Sequence, residues 1–191
     1  MVVNREKQQL RKKLLAKLLS LTNEEIKRRS KDVTNRLSTL PIYRKAKKVM
    51  AYYPLKGEVD ILEMVRKAIK TKRFFFPVVD KNAKELQVHE VKDLETDFIR
   101  GPFGVSQPDP RKTKKCDSNQ IDMVIVPGLS FDYQHNRLGR GAGFYDRFLQ
   151  GLTPSIKKVG IAFDLQIVKS LPAHHSLDQK VDIIVSESEV I

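Results

Sequence analysis

The chain has 191 residues, with 36 Lys and Arg against 23 Asp and Glu, a formal net charge of +13. Its 40% hydrophobic content suits one soluble globular domain, 1–191, with a real core. Such a positive field attracts anions: nucleotides, polyanionic small molecules or RNA. Cys116 is the single cysteine, which excludes an internal disulfide and a cysteine-based metal cluster. No apolar run approaches the ~18–20 residues of a membrane span, and the opening MVVNREKQQLRKK lacks the apolar stretch of a signal peptide. A cytoplasmic protein with no membrane partner is expected.

In chain order, Leu10, Leu14, Leu15, Leu18 and Leu19 recur at helical spacing. Thr22 followed by Glu25 is a capping box that starts a second helix. The stripe of that helix is Ile26, Val33, Leu37 and Leu40, and Pro41 ends it. The two form a helical hairpin with basic outer faces. Val49–Tyr53 reads as a buried strand. Asp60 and Glu63 open a third helix, and Phe74–Val79 and Leu86–Val91 read as strands, with His89 unpartnered on an edge strand and Phe74–Phe76 in the core. Residues 100–120, rich in Gly, Pro and Lys, read as one long loop holding an incidental Cys116. Ile121–Pro127 is a strand, 128–143 a loop, and Tyr145, Phe148, Leu149 and Leu152 mark a short helix. His174 and His175 read as polar surface. Val159–Phe163 and Val181–Val185 complete the strands. Helices alternating with apolar strands predict an α/β fold, a layered, parallel-rich sheet with helices on both faces.

Ligands in such sheets bind beyond the carboxyl ends of the strands, where Arg137–Arg147 (RLGRGAGFYDR) falls. Gly139, Gly141 and Gly143 lack the further glycine of a dinucleotide fingerprint, and no Walker A loop occurs. What remains is an anion cradle. Backbone N–H groups around glycines and the positive end of the following helix combine with Arg137, Arg140 and Arg147, whose guanidinium groups suit phosphate. Asp146 is a candidate Mg²⁺ ligand. A solvated glycine-arginine turn is the plain alternative.

The runs VPGLSFD (Val126–Asp132), RLGRGAGFYDR and KVDIIVSE (Lys180–Glu187), with Lys7-Gln8-Gln9-Leu10-Arg11 near the start, resemble the 5-formyltetrahydrofolate cyclo-ligase family, also called methenyltetrahydrofolate synthetase. The resemblance implies a Rossmann-like α/β domain that uses ATP and Mg²⁺ to convert 5-formyltetrahydrofolate into 5,10-methenyltetrahydrofolate. The γ-phosphoryl group passes to the formyl oxygen, N10 closes the ring, and ADP and phosphate leave. It implies ATP contacts at Lys7, Gln8, Gln9, Leu10 and Arg11 and at Arg137, Leu138, Gly139, Arg140, Gly141, Ala142, Gly143, Phe144 and Tyr145. It implies folate contacts at Tyr53, Glu58 and Gly139–Gly143, catalysis by Arg140, and Mg²⁺ at Asp146 and Asp182. The chain departs from the family at His135, commonly glycine, at Phe144, commonly tyrosine, and at Tyr53, commonly apolar. The expected partners are ATP and a folate, with a polyglutamate tail as a natural match to the basic surface, no specific nucleic acid, and a monomer. A basic nucleic-acid-binding protein is the rival reading; against it, no nucleic-acid motif or row of stacking aromatics occurs.

Overall fold

A computed structural model describes residues 2–172 and 178–191, with residues 2–4 and Phe103 described by backbone alone. His174 and His175 lie outside the described residues. Helix α1 runs Val2–Leu19 and α2 Asn23–Thr39. Thr22 caps α2 as its capping box predicts: the hydroxyl accepts from Glu25 N at 3.2 Å and the Glu25 carboxylate accepts from Thr22 N at 2.9 Å. Pro41 does more than end α2. Its fixed φ suits a first helical position, and it opens a short α3, Pro41–Lys45.

Strand β1 (Lys48–Met50) is shorter than the Val49–Tyr53 expected. Ala51 N still donates to Phe75 O at 2.7 Å, but Tyr52 turns its hydroxyl to Val59 O, and Pro54 has no N–H for a ladder. Then follow α4 (Leu62–Ala68), β2 (Arg73–Asp80) and β3 (Glu85–Val91). The expected 100–120 loop holds structure. After β4 (Phe98–Arg100), β5 (Ser106–Pro108) pairs with it, and β6 (Lys114–Cys116) joins the main sheet beside β3. His89 is therefore not on an edge: it is 4% exposed, with Nδ1 3.0 Å from Thr113 Oγ1, and burial holds its imidazole below the usual histidine range. Residues 128–143 are not all loop either. After β7 (Met123–Pro127), β8 (Ser130–Asp132) and β9 (Arg137–Leu138) form a hairpin. Helix α5 (Phe144–Gln150), β10 (Lys157–Ile161), β11 (Ile167–Val168) and β12 (Ile183–Val185) follow.

The main sheet has the order β12-β10-β7-β1-β2-β3-β6, parallel from β12 through β2 and antiparallel beyond. Side chains alternate across it. Phe74 and Phe76 pack toward α2 and α4 with Val49, Met123 and Ile125; Phe75 packs on the opposite face with Val124, Val126 and Leu149 of α5. All three phenylalanines are at most 2% exposed, worth roughly 1.5–3 kcal/mol each. Helices thus cover both faces, as expected. No helix among the described residues is long and apolar enough to cross a membrane.

Two glycines fix the ring that starts the β8 hairpin. A Cβ on Gly128 would lie 2.7 Å from the Phe131 ring, and one on Gly160 would lie 2.6 Å from it. Phe131 is fully buried between those bare backbones. Below it, Asp132 is buried and accepts from the amides of Gln134, Asn136 and Leu171 and from Asn136 Nδ2. The turn between β8 and β9 forces His135 to φ 64, a left-handed conformation that costs a side-chain-bearing residue about 1–2 kcal/mol. Its N–H donates to Asp132 O at 2.9 Å and its carbonyl accepts from Val181 N at 3.1 Å, so the conformation is held from both sides. His135→Gly keeps both bonds and removes the strain, offset by the freer unfolded chain. It should raise stability by about 0.5–1 kcal/mol in urea unfolding, whereas a loss would mean that the imidazole itself stabilises the turn.

Candidate active site

The carboxyl ends of β1, β2 and β7 open into a cavity of about 500 Å³. Its composition follows from chain order. One wall is apolar: Tyr53 and Leu55 after β1, Pro77 and Val79 on β2, Leu86 on β3, and Val105 before β5. The Tyr53 ring packs against Phe98 in a tilted contact, with centroids 5.0 Å apart and planes at 57°. Gln107 is 7% exposed, and its Oε1 accepts from Val79 N at 3.1 Å, which fastens the β5 segment to β2. The Gly139–Gly143 loop leading into α5 lines the same cavity.

The glycines of that loop have separate causes. Gly141 (φ 106) and Gly143 (φ 70) take left-handed conformations, and Gly143 is the residue from which α5 starts. Gly139 is bare because a Cβ would lie 2.8 Å from Arg137 Nη1. Helix α1 reaches the same loop. Lys7 and Arg11, four residues apart, share a helix face; Arg11 Nε donates to Gly139 O at 2.9 Å, and Lys7 binds Asp178.

Three ion pairs therefore surround one cavity: Lys7–Asp178, Arg137–Asp146 at 2.7 Å and Arg140–Glu58 at 3.0 Å. Arg137 is nearly fully buried, at 3% side-chain exposure, and its Nη1 also donates to Pro127 O at 3.3 Å. It is a strut between β7 and α5 more than an open phosphate grip. Arg147 donates to Lys84 O at 2.8 Å and covers the Phe144 ring. Arg140 is the most exposed of the arginines in these pairs. Glu58 closes a tight turn: its N–H donates to Leu55 O, and its Oε2 accepts from Leu55 N, both at 2.9 Å. Burial, and next the Glu58 charge, push the phenols of Tyr52 and Tyr145 up. Tyr52 donates to Val59 O at 2.7 Å. Tyr145 Oη and Arg137 Nε are each buried without a hydrogen-bond partner among the described residues, and the Arg137 guanidinium lies 5.7 Å from the Tyr145 ring centre.

Most of the expected site residues converge here. Tyr53, Glu58, Arg11, the Arg137–Tyr145 run and Asp146 all line the cavity, and Lys7 reaches it through Asp178. Others do not. Gln8 and Gln9 are exposed on α1. Leu10 packs with Leu14, Leu138 and Leu171 and belongs to the core. Asp182 does not join Asp146. Its carboxylate accepts the Lys158 amide at 2.7 Å, and Lys158 pairs with Val124. That level is three residues, roughly 10 Å of strand, before Pro127 and the Arg137–Asp146 pair. Asp182 thus ties the starting end of β12 to β10, as Asp122 ties β7 to β1 by accepting from Lys47 N and Lys48 N. Among the described residues no group of three His, Cys, Asp or Glu could hold a metal ion. Conversely, Asp178 and the β2–β5 apolar wall lack any local motif; only the sheet brings them to the loop.

A model of the 5-formyltetrahydrofolate cyclo-ligase family matches residues 3–187. The chain is 28% identical over 200 residues to a probable 5-formyltetrahydrofolate cyclo-ligase of Caenorhabditis elegans, covering 99% of this chain and 95% of the relative. It is also 28% identical to the 5-formyltetrahydrofolate cyclo-ligase of Haemophilus influenzae, over 94% of this chain and 97% of that one. The solved 5,10-methenyltetrahydrofolate synthetase of Aquifex aeolicus superposes with a TM-score of 0.85 at 36% identity, covering 96% of this chain and 91% of that one. The one from Mycoplasma pneumoniae superposes with a TM-score of 0.75 at 26% identity, over 96% and 99%. With a family match over nearly its whole length and a fold shared with solved members, the chain belongs to the 5-formyltetrahydrofolate cyclo-ligase family.

Proposed function

We propose that this enzyme converts 5-formyltetrahydrofolate to 5,10-methenyltetrahydrofolate with consumption of ATP. The observation that carries this reading is that one cavity of about 500 Å³ is lined both by apolar and tyrosine side chains and by a glycine-arginine loop. A folate needs the first and a triphosphate the second. Family membership supports the folate half of this pair.

The chemistry follows from what an N-formyl group lacks. Its carbon is amide-like, and its oxygen leaves poorly. The formyl oxygen therefore attacks the γ-phosphorus of ATP, and ADP leaves. N10 then adds to the activated carbon and loses its proton, and phosphate departs as the methenyl bridge forms. Phosphoryl transfer asks the protein for position and charge more than for a nucleophile. Arg140 at the loop apex supplies charge to the moving phosphoryl oxygens. Backbone N–H groups of Gly139–Gly143 hold the neighbouring phosphates, and the Tyr53 side of the cavity shields the folate from water.

Asp146 fits a Mg²⁺ site of the kind that takes one carboxylate and completes its shell with phosphate oxygens and water. Both of its hydrogen bonds, from Arg137 Nη2 and Gln179 N, fall on Oδ1. Asp182 does not join this site, because its place beside Lys158 lies three residues of strand before the Pro127 level where Asp146 stands. When bound, Mg²⁺ would neutralise charge on the phosphate oxygens.

The test is a mixture of protein, Mg-ATP and 5-formyltetrahydrofolate, followed by the absorbance of the methenyl product. An increase that requires ATP is expected, and none would sink the proposal. Asp146→Asn, which keeps an acceptor for Arg137 but costs stability by removing its counter-charge, should raise the Mg²⁺ concentration needed for half-maximal rate of the folded protein by about tenfold or more. An unchanged Mg²⁺ requirement would remove Asp146 from the metal site.

A further inference from the structure

We propose that Glu58 is a positioning residue for Arg140, so that its carboxylate serves the phosphoryl-transfer step more than recognition of the folate ring. This rests on the ATP-dependent reading above.

Arg140 stands between Gly139 and Gly141, so its chain neighbours carry no side chains that could brace it. The aim comes from outside. Arg140 Nε donates to Glu58 Oε1 at 3.0 Å, and Nη2 reaches Lys56 O at 3.5 Å. Both acceptors belong to the Leu55–Glu58 turn. That turn is rigid for reasons unrelated to any ligand. It is closed by two hydrogen bonds between Leu55 and Glu58. Gly57, at φ 84, packs so closely on α1 that a Cβ would lie 3.0 Å from Leu18 Cβ.

The carboxylate itself is committed. Glu58 is 8% exposed, one oxygen takes the Leu55 amide, and the other takes Arg140. Arg140, by contrast, keeps 36% of its side chain exposed and lines the cavity. A guanidinium offers five donors in a planar fork. With Nε held by Glu58, the Nη1 edge remains for an oxygen in the cavity. A fixed anion behind a cation orients it in advance, and this is the arrangement that lowers the reorganisation needed as phosphoryl charge develops.

Two variants test this against a simple folate contact. Glu58→Gln should lower kcat by about 10²-fold, while the dissociation constant for 5-formyltetrahydrofolate, measured by calorimetry without nucleotide, changes less than about threefold. In an Arg140→Ala background the same substitution should produce no further loss of kcat. Arg140→Lys tests the inference without altering the buried turn. A lysine cannot hold Glu58 and present a second donor edge, so this variant should reproduce the kcat loss and again leave folate affinity intact. Amide exchange gives a readout independent of turnover: Arg140–Ala142 should exchange faster in Glu58→Gln. A tenfold weaker folate affinity with kcat retained, losses that multiply between Glu58 and Arg140, or unchanged loop exchange would each overturn the proposal. Failure of the ATP-dependent reading would appear instead as an inactive wild-type protein, with the exchange result still deciding whether Glu58 holds Arg140.

Discussion

Arg140→Ala is expected to lower kcat by about 10²–10³-fold, the range seen when one donor to a developing oxyanion is removed. Two features make the effect large and clean. The side chain is partly exposed and hydrogen-bonds to Glu58 and Lys56 O, so truncation leaves no cavity in the core; it strands the Glu58 carboxylate, a cost to stability that kcat per folded molecule does not carry. Nor do its neighbours in the loop offer a substitute, because Arg137 is buried in its pair with Asp146 and Arg147 is committed to Lys84 O and Ala142 O. On the proposed reading the KM for ATP should rise less than kcat falls, since ground-state phosphates would keep the loop amides. Steady-state kinetics at saturating 5-formyltetrahydrofolate would measure the split. A variant that changes KM alone would assign Arg140 to nucleotide binding without a part in transfer.

Arg137→Ala should act mainly on stability, with a loss of about 3 kcal/mol. The arginine is 3% exposed, and its removal strands the Asp146 carboxylate, which is 19% exposed, and frees the Pro127 carbonyl at the end of β7. Most of the cost is the unpaired charge rather than the lost bond. The double variant Arg137→Ala, Asp146→Ala should therefore be more stable than Arg137→Ala alone. Equilibrium unfolding in urea would show this as a recovered midpoint at constant slope. If the double variant is instead less stable by the sum of the two single losses, the pair does not couple and Arg137 acts through packing.

The contrast between these two arginines shows where sequence reading stops. Both stand in the same glycine-rich run, and their chemistry alone makes both phosphate grips. What separates them is register. Arg137 is the partner of Phe131 in β9 and points into protein, while Arg140 sits beyond the strand. The apolar strands and the Thr22 cap were legible because each carries its own local cause. Strand β6 was not: Lys114 and Lys115 look like loop residues and become a strand only because β3 offers an unpaired edge. Asp182, a metal ligand only by family resemblance, ties the start of β12 to β10, because the parallel register places it at the far end of the sheet from the glycine loop. Asp178, paired with Lys7, carries no pattern at all, since the two are brought together over 171 positions of chain.

The two outer strands of the main sheet also set how the protein behaves in company. On one side, β6 presents Lys114 and Lys115, both exposed charges. On the other, residues 189–191 fold back over β12, with Ile184 and Ile191 exchanging two bonds of 2.9 Å and Val185 bridging Val190. One flank repels an incoming strand and the other already has its backbone groups matched. The sheet is thus closed to growth at both ends, which protects a chain with so many consecutive apolar strand residues from being recruited into fibrillar assembly when concentrated.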